Sequence, residues 1–492
     1  MIHRTAPHRR FRAITVALAA LALAVSTGFV AFSGPADAKL AYLSEIETEA
    51  PAWTEQLGLS AAECTDGMAG PFPCDNVDLS AVVPVTQLGG PTGNDVWGWN
   101  DPETGREYAI AGTSAGTAFV DVTEPTSPEV VAIMPSQSVE GLPLWRDVKV
   151  YDDHAFVVSE HAGHGMQVFD LTRLREGATL PIIGGVVTPD VVYTGTEDTT
   201  VSNSHNVWIN DETGYAYLIG TNTCDGGLHM VDVNDPEAPE FAGCFSADGY
   251  THDVECVTYE GPDTRYTDRE ICFASNEDTV TIVDVTDKTA PKLLSKTGYD
   301  SARYTHQGSL TPNQDWFLFG DELDEQGGTV TNTATYILDV SDLKAPGEPL
   351  TYLHDSQTVD HNMYVDDRFV HQANYNEGLR ILAWDDAGLA AGQLDEVAFF
   401  DVVPAVDVSE FAGAWSSYQL DSGTIVVNTL ELGLFVLQPD LPEAEPEPDP
   451  DPDTDPEPDP EPDPDDGSGD GGPDCDKVGG KGNGQGPPSC RD

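Results

Sequence analysis

The sequence predicts an all-β protein in which similar four-stranded sheets form a closed ring. Three observations support this fold class. The chain of 492 residues contains 47 glycines and 36 prolines, which favours many turns and short strands over long helices. Its hydrophobic fraction of 39% is sufficient for a sizeable core. Short β-type runs also recur between residues 77 and 440, as expected of an array of similar units.

The clearest repeat is a strand that ends in aspartate and is followed by a turn, in most copies rich in acids and proline. Six aspartates mark its copies at intervals of 46 to 62 residues: Asp121, Asp170, Asp232, Asp284, Asp339 and Asp385. The 364 residues of 77–440 divide into seven units of 52, which suits a four-stranded blade with its loops. We therefore predict a seven-bladed β-propeller, with a six-bladed or eight-bladed ring as the alternative.

The seventh unit predicts how the ring closes. It starts at Ala414-Trp415-Ser416 and stops one strand short, and the run from Leu79 to Leu88 can supply the missing strand. Closure protects the strand edges that an open array would expose. We therefore expect an N-terminal strand to complete the last blade.

Residues 1–38 have the three parts of a secretory signal peptide. Basic residues precede an apolar run from Ala13 to Phe32, and Ala36-Asp37-Ala38 fits cleavage before Lys39. An uncleaved membrane anchor is the alternative, since 20 mostly apolar residues are long enough to span a bilayer. We predict a secreted, extracellular protein, either free or associated with the cell surface, with no membrane span after cleavage.

Eight cysteines follow the signal peptide, and an even number in an exported chain indicates disulfides. Pairing of sequence neighbours predicts the bridges Cys64–Cys74, Cys224–Cys244, Cys256–Cys272 and Cys475–Cys490. The first bridge falls in residues 39–76, which we predict to be a short N-terminal cap before the propeller of 77–440.

The C-terminal segment differs in composition from the propeller. Residues 441–474 are predicted to be a disordered, acidic, proline-rich stalk, and 475–492 a glycine-rich, cysteine-flanked C-terminus. Positions 442–466 contain 13 acids and 10 prolines, so the stalk buries no core and self-repulsion keeps it extended. A calcium-binding polyanion is the alternative, although Ca²⁺ prefers a convergent cage of oxygens.

The formal net charge of −63 argues against nucleic acid or an anionic membrane as the partner, because such ligands require basic clusters. The tail of 441–492 contributes only 17 acids and 3 bases to this charge, so most of it belongs to the cap and propeller. We expect a monomer that binds an extracellular protein, a glycan or a small ligand.

Several segments are distinctive beyond their β-type pattern. They are Phe72-Pro73-Cys74-Asp75-Asn76-Val77-Asp78-Leu79, Gly220-Thr221-Asn222-Thr223-Cys224, Ala247-Asp248-Gly249-Tyr250-Thr251-His252-Asp253, Val283-Asp284-Val285-Thr286-Asp287-Lys288 and Tyr304-Thr305-His306-Gln307-Gly308. Together they resemble the choice-of-anchor B family of secreted or surface β-propellers with LVIVD-type repeats, over roughly residues 40–440. The resemblance implies fold and location and no particular activity, and no anchoring device of that family is recognisable here.

One channel mouth of the predicted propeller is rich in polar side chains. In an antiparallel blade, the start of the first strand and the end of the second lie at the same face of the ring. The first position holds Asp95, Asp147, His205, His252 with Asp253, His306 and His361. The second position holds Glu160, Asn222, Asn276, Asp321, Glu322 and Asn374, and an adjacent loop adds His161 and His164. We therefore predict a polar ring rich in histidine and carboxylate.

This ring has two interpretations. Imidazole suits transition metals and carboxylate suits Ca²⁺, so His205, His252, His306 and His361 are candidate ligands of a divalent metal ion. The alternative is that these side chains bind backbone groups and water and hold neighbouring blades in register. No catalytic residue is assigned. We predict a binding or scaffold module, with a metal-dependent lactonase-like or esterase-like hydrolase and a structural surface protein as alternatives.

Overall fold

The computed structural model describes residues 60–138, 144–179, 185–403 and 411–442. Seven antiparallel sheets follow one another along these residues, so the prediction of an all-β, seven-bladed propeller is confirmed and the six-bladed and eight-bladed alternatives are wrong. The predicted signal peptide, acidic stalk and Cys475–Cys490 bridge lie outside the described residues.

The strands are numbered in chain order. The N-terminal strands are β1 (Met68–Ala69), β2 (Phe72–Asp75) and β3 (Val77–Pro84). Blade 1 contains β4 (Gly93–Asn100), β5 (Glu107–Thr113), β6 (Gly116–Asp121) and β7 (Glu129–Pro135). Blade 2 contains β8 (Arg146–Tyr151), β9 (His154–Ser159), β10 (Met166–Asp170) and β11 (Val191–Tyr193). Blade 3 contains β12 (Asn206–Asn210), β13 (Tyr215–Ile219), β14 (Leu228–Asp232) and β15 (Glu240–Phe245).

The second half of the ring follows the same order. Blade 4 contains β16 (Asp253–Tyr259), β17 (Arg269–Ser275), β18 (Val280–Asp284) and β19 (Lys292–Thr297). Blade 5 contains β20 (Thr305–Leu310), β21 (Trp316–Asp321), β22 (Ala334–Asp339) and β23 (Leu350–Leu353). Blade 6 contains β24 (Asn362–Val365), β25 (Phe369–Ala373), β26 (Leu379–Ala383) and β27 (Asp395–Phe400), and blade 7 contains β28 (Ala414–Gln419), β29 (Ile425–Thr429) and β30 (Gly433–Pro439). The short helices are α1 (Asp386–Leu389) and the 3₁₀ helices Val85–Gln87, Leu171–Thr179 and Cys224–Gly226.

The repeated aspartate has a structural role at the end of the third strand of a blade. Asp121, Asp232 and Asp339 are the last residues of β6, β14 and β22. The carboxylate of each accepts the backbone N–H two residues later, at 3.1, 3.1 and 2.9 Å. Such a bond starts a turn without help from the neighbouring strand. In these blades the aspartate therefore marks where the third strand stops. Asp385 differs, because it lies two residues beyond β26 and its carboxylate accepts the N–H of Gly388 in α1.

The ring closes through the predicted N-terminal strand. In blade 7, β3 pairs with β30, and Val82 lies opposite Phe435 in an antiparallel register. The strand spans Val77–Pro84, and the chain then turns through the 3₁₀ helix Val85–Gln87. The closing strand therefore starts and ends earlier than the run from Leu79 to Leu88 that we predicted.

The described part of the predicted cap, residues 60–76, extends blade 6. The hairpin of β1 and β2 pairs with β27, the outermost strand of that blade, with Cys74 opposite Phe400. The disulfide Cys64–Cys74 ties the segment before the hairpin to β2. Phe72 packs against Phe400 and Phe435. The cap therefore joins blades 6 and 7 at the outer edge of the sheet.

Apolar side chains between neighbouring blades form the core. Phe119 of blade 1 packs on Phe169 of blade 2, and Phe273 of blade 4 stacks on Phe317 of blade 5, with ring centroids 4.7 and 5.6 Å apart. The predicted bridges Cys224–Cys244 and Cys256–Cys272 are also present. Among the described residues, no helix is long and apolar enough to cross a bilayer.

Candidate metal centre

Antiparallel pairing places the predicted polar positions at one mouth of the channel. Asp253 at the start of β16 lies opposite Ser275 at the end of β17, and Thr305 lies opposite Asp321 in the same way. The residues beside these pairs, such as His252 and Glu322, therefore face the same end of the ring. We call this end the His mouth.

The four predicted histidines form a continuous arc at the His mouth. The ring centroids of His205 and His252 are 4.2 Å apart, those of His252 and His306 are 4.2 Å apart, and those of His306 and His361 are 4.4 Å apart. All four residues are buried, with 1 to 7% of their surface exposed. One histidine comes from each of blades 3 to 6, so the arc follows the curvature of the ring.

Hydrogen bonds fix the orientation of three of these rings. Nδ1 of His252 lies 2.9 Å from the carbonyl oxygen of His306, and Nδ1 of His361 lies 2.5 Å from that of Trp415. Nδ1 of His205 lies 2.6 Å from Oε1 of Glu160. Carbonyl and carboxylate oxygens accept, so Nδ1 is the donor and Nε2 keeps the lone pair that binds a metal ion.

Glu322 brings two of the histidines into a compact group. Its two carboxylate oxygens lie 3.7 Å from Nε2 of His306 and 3.6 Å from Nε2 of His361. These distances are longer than the donor–acceptor distance of a hydrogen bond. They match two ligands of one ion, because atoms about 2.0–2.2 Å from zinc at a tetrahedral angle lie about 3.4 Å apart. Tyr375 donates to Oε1 of Glu322 at 2.6 Å and so orients the carboxylate.

The predicted histidines differ in whether they join this group. Among the described residues, His306, Glu322 and His361 place three potential ligand atoms within 4.8 Å of one another. His205 and His252 are not members of that group, and His205 is paired with Glu160. The candidate centre is therefore smaller than the four-histidine set and includes a carboxylate.

Other predicted polar residues support loops around the mouth. Asn222 accepts the N–H of Ser202, and Asn276 donates to Asp248. Asn374 donates to Gln372, and Asp321 accepts the N–H of Tyr304 at 2.7 Å. In the structure these side chains bond to nearby backbone or side-chain groups and lie outside the group of three ligand atoms.

The pair His161 and His164 does not form a second ligand set. His161 bonds to the carbonyl of Ala162, whereas His164 is fully buried and lies 2.9 Å from Nη1 of Arg146. Burial, and then the charge of Arg146, lower the pKa of His164 to about 3. Burial also lowers the pKa of Arg146, to about 9. His164 therefore acts as a neutral acceptor for the arginine.

Deeper in the channel, Lys149 lies among the predicted carboxylates Asp95, Asp147 and Asp253. Its Nζ is 2.7 Å from Asp147 and 4.0 Å from Asp95. Burial would lower the pKa of Lys149, but Asp147 and the other carboxylates outweigh burial and raise it. Burial and repulsion from Asp147 raise the pKa of Asp253 to about 7 and that of Asp95 well above its usual range.

Some of these carboxylates also connect neighbouring blades. Asp95 accepts the N–H of Val148 in blade 2 at 3.2 Å, and Asp147 accepts the N–H of Val207 in blade 3 at 2.7 Å. Sequence reasoning missed two equivalent links. Glu255 accepts from Leu310 at 2.7 Å, and Gln307 accepts from Met363 at 2.8 Å. The sequence contains a signal for both links, because Glu255 and Gln307 each lie one to three positions after a polar residue at the start of an inner strand.

An aromatic plug lies in the middle of the channel. Trp97 of blade 1 contacts Trp208 of blade 3, Tyr364 of blade 6 and Tyr418 of blade 7, at centroid distances of 6.5, 5.3 and 4.8 Å. Beyond it, at the opposite end of the inner strands, is a cavity of about 740 Å³ lined by Trp97, Trp99, Trp208, Tyr418, Lys149 and Asp211 among others. We did not predict this cavity.

No family model and no curated protein matches the chain. Similar solved structures are the WD40 propeller domain of Doa1, the propeller domain of Myceliophteria thermophila Cps50 (Swd1) and the hydrazine synthase of Kuenenia stuttgartiensis. They have TM-scores of 0.46, 0.45 and 0.45 and identities of 10, 11 and 12%. The matches cover 74, 73 and 68% of this chain and 97, 98 and 93% of the other chains. The seven sheets and the histidine arc of this chain define its class as a seven-bladed propeller with a histidine-rich mouth. The resemblance to the choice-of-anchor B family stays a prediction.

Proposed function

We propose that the protein is an exported binding module that holds a divalent transition-metal ion at the His mouth and uses it to bind a ligand. The observation that supports this most is the buried group of His306, Glu322 and His361. Two imidazoles and one carboxylate are a ligand set that Zn²⁺ and similar ions accept. A ligand from solution then supplies the remaining coordination position.

The surroundings of the group favour metal binding over a simple ion pair. The Trp415 carbonyl orients His361, and the Tyr375 hydroxyl orients Glu322. Outer partners of this kind fix the direction of a ligand and increase its basicity. Tyr375 is itself buried, and burial and the nearby Glu322 raise its pKa well above the usual range, so its hydroxyl remains a donor.

Export is supported by the predicted signal peptide at 1–38 and by three disulfides among the described residues. Disulfides persist in oxidising compartments and are rare in the cytosol. The partners we propose are an extracellular protein, glycan or small ligand. The strongly acidic composition favours a cationic or neutral ligand.

The test is calorimetric titration of chelator-treated protein with Zn²⁺. We expect one ion per chain, and a loss of affinity of about 100-fold or more in the His306→Ala and His361→Ala variants. His205→Ala should retain the ion, since His205 is outside the group. His154→Ala is the matched control, because His154 lies at the opposite end of β9 from the mouth.

Two results would contradict the proposal: wild-type protein that binds no transition-metal ion, or a folded His306→Ala, His361→Ala double variant that binds as tightly as wild type. Circular dichroism establishes that the variants are folded. The predicted alternative, a metal-dependent hydrolase, requires the same ion. A wild-type protein that binds no transition-metal ion would therefore contradict the hydrolase as well.

A further inference from the structure

A second group of potential metal ligands lies beside the His mouth and was not predicted from the sequence. Carboxylate oxygens of Asp324, Glu325 and Asp360 lie within 4.8 Å of one another. Asp324 and Glu325 belong to the connection between β21 and β22 of blade 5, whereas Asp360 precedes β24 of blade 6. Their exposed fractions are 0, 8 and 1%, so three acids from two blades share a buried site.

The hydrogen bonds of this group leave several oxygens without a partner. Both carboxylate oxygens of Asp360 are buried and accept no hydrogen bond, and the same holds for Oδ1 of Asp324 and Oε2 of Glu325. The other oxygens accept from Tyr336 at 2.5 Å and from the N–H of Ala334 at 3.1 Å. Among the described residues, no lysine or arginine forms an ion pair with the three acids.

Buried carboxylates in such an arrangement have a large energetic cost. A buried charge is normally paired, hydrogen-bonded or bound to a metal. Four oxygens of Asp324, Glu325 and Asp360 have no hydrogen-bond partner among the described residues, so a cation is the partner that this buried group lacks.

The backbone around Asp360 leaves space for its carboxylate. A Cβ atom on Gly320, the residue before Asp321 in β21, would overlap Oδ2 of Asp360. A side chain at this position would displace the Asp360 carboxylate, so Gly320 provides the space in which the carboxylate lies against the backbone of the neighbouring blade. Asp360 is thus directed into the group, although nothing among the described residues neutralises it.

We propose that Asp324, Glu325 and Asp360 bind a calcium ion that connects blades 5 and 6. The ligands are carboxylate oxygens without imidazole or thiolate, and hard divalent cations prefer such a set. Ca²⁺ accepts oxygens at 2.3–2.6 Å in flexible geometry, so two of its ligand oxygens can be nearly 5 Å apart. Backbone carbonyls and water supply the remaining positions.

This site has a different role from the proposed transition-metal centre and does not depend on it. Glu322 precedes Asp324 by two residues, and His361 directly follows Asp360. A calcium ion would therefore fix the two chain segments that carry ligands of the His mouth. The calcium ion would offset two of the three carboxylate charges and would be a partner for the oxygens that accept no hydrogen bond.

The experiment uses the full chain after removal of metal with EDTA. Calcium is titrated by calorimetry at constant ionic strength, and thermal unfolding is followed with Ca²⁺ and with NaCl of equal ionic strength. We expect one tightly bound Ca²⁺ per wild-type chain and a Ca²⁺-specific rise of about 2–5 °C in Tm. Asp360→Asn and Gly320→Ala should weaken this binding by about 100-fold or more and abolish the rise.

Glu348→Gln is the matched control, because Glu348 is an exposed acid between β22 and β23 of blade 5 and lies outside the group. The acidic tail is present in every variant, so any calcium that it binds is the same in all of them. Should Asp360→Asn fail to fold, Asp324→Asn and the stoichiometry of the wild type still decide the question.

A wild-type chain without one tight Ca²⁺ site overturns the proposal, as does an equal Ca²⁺ response in wild type and folded Asp360→Asn. The two metal proposals fail separately. His306→Ala should keep its Ca²⁺ response, and Asp360→Asn should still bind Zn²⁺ at the His mouth.

Discussion

Two groups of buried carboxylates lie near the channel, and they differ in what neutralises them. In blades 1 and 2, Asp95 and Asp147 have Lys149 beside them and accept backbone N–H groups of the next blade, and of their four oxygens one, Oδ1 of Asp95, has no hydrogen bond. Between blades 5 and 6, Asp360 and its two neighbours have four oxygens without hydrogen bonds. The same residue type therefore connects blades in one place and forms a candidate ligand set in the other.

The number of buried acids therefore does not identify a metal site. A better indicator is the number of buried carboxylate oxygens that have no hydrogen-bond donor, because an unsatisfied buried charge is energetically expensive. Substitution of Lys149, which compensates Asp95 and Asp147, and substitution of Asp360 in the other group should therefore change the free energy of unfolding in opposite directions.

The largest effect is expected for Lys149→Met. The substitution leaves Asp95, Asp147 and Asp253 without their cation, and breaking a buried pair in this way costs about 3–5 kcal/mol. Urea unfolding at pH 7 measures the fall in the free energy of unfolding. Lys292→Met is the control, since Lys292 is exposed and should change stability by less than about 0.5 kcal/mol. Equal effects of the two substitutions would show that Lys149 does not stabilise the first set.

A smaller effect is expected for Glu255→Gln, and it depends on pH. Burial raises the pKa of Glu255 to about 7, an effect that the N–H of Leu310 reduces. The folded state therefore binds a proton that the unfolded state has lost between about pH 4.5 and 7, so the free energy of unfolding falls as pH rises through this range.

Glutamine cannot ionise and keeps an oxygen for the N–H of Leu310. Relative to wild type, the variant should therefore gain about 3 kcal/mol between pH 4.5 and 7.5, as measured by urea unfolding across pH. Glu260→Gln, at an exposed position, is the control. A parallel pH profile for wild type and Glu255→Gln would contradict the assignment.

The smallest effect is expected for Asp360→Asn in the presence of EDTA. Without a cation, the substitution removes an uncompensated buried acid, so the free energy of unfolding should rise by about 1 kcal/mol. This sign is opposite to that of Lys149→Met. A loss of 3 kcal/mol or more in EDTA would mean that Asp360 has a stabilising partner of its own, and the two carboxylate sets would then be equivalent.

The fold was largely predictable because its signals are local and repeated. Asp121, Asp232 and Asp339 each end a strand through a hydrogen bond within two residues, so their spacing reports the blade period directly. The disulfides of neighbouring cysteines were predictable for the same reason. Cys256 and Cys272 lie directly opposite each other in one pair of strands.

The candidate site was predictable only in part, because it depends on side-chain direction across blades. The positions of the four histidines at one mouth follow from strand polarity. The carboxylate that each histidine contacts does not follow from strand polarity. Glu322 lies beside His306 and His361, whereas Glu160 pairs with His205. Asp360 was missed because its group contains ligands from two blades, and in the sequence it appears only as the acid before His361.

The closing strand has a consequence for how the molecule is made. In blade 7, Val82 pairs with Phe435, 353 residues further along the chain. During synthesis β3 is therefore among the first strands to be made, and it pairs among the last. Contacts of such long sequence separation form slowly, and an unpaired strand edge is a template for aggregation. Until β30 has been synthesised, β3 must therefore be prevented from pairing with the edge of another strand.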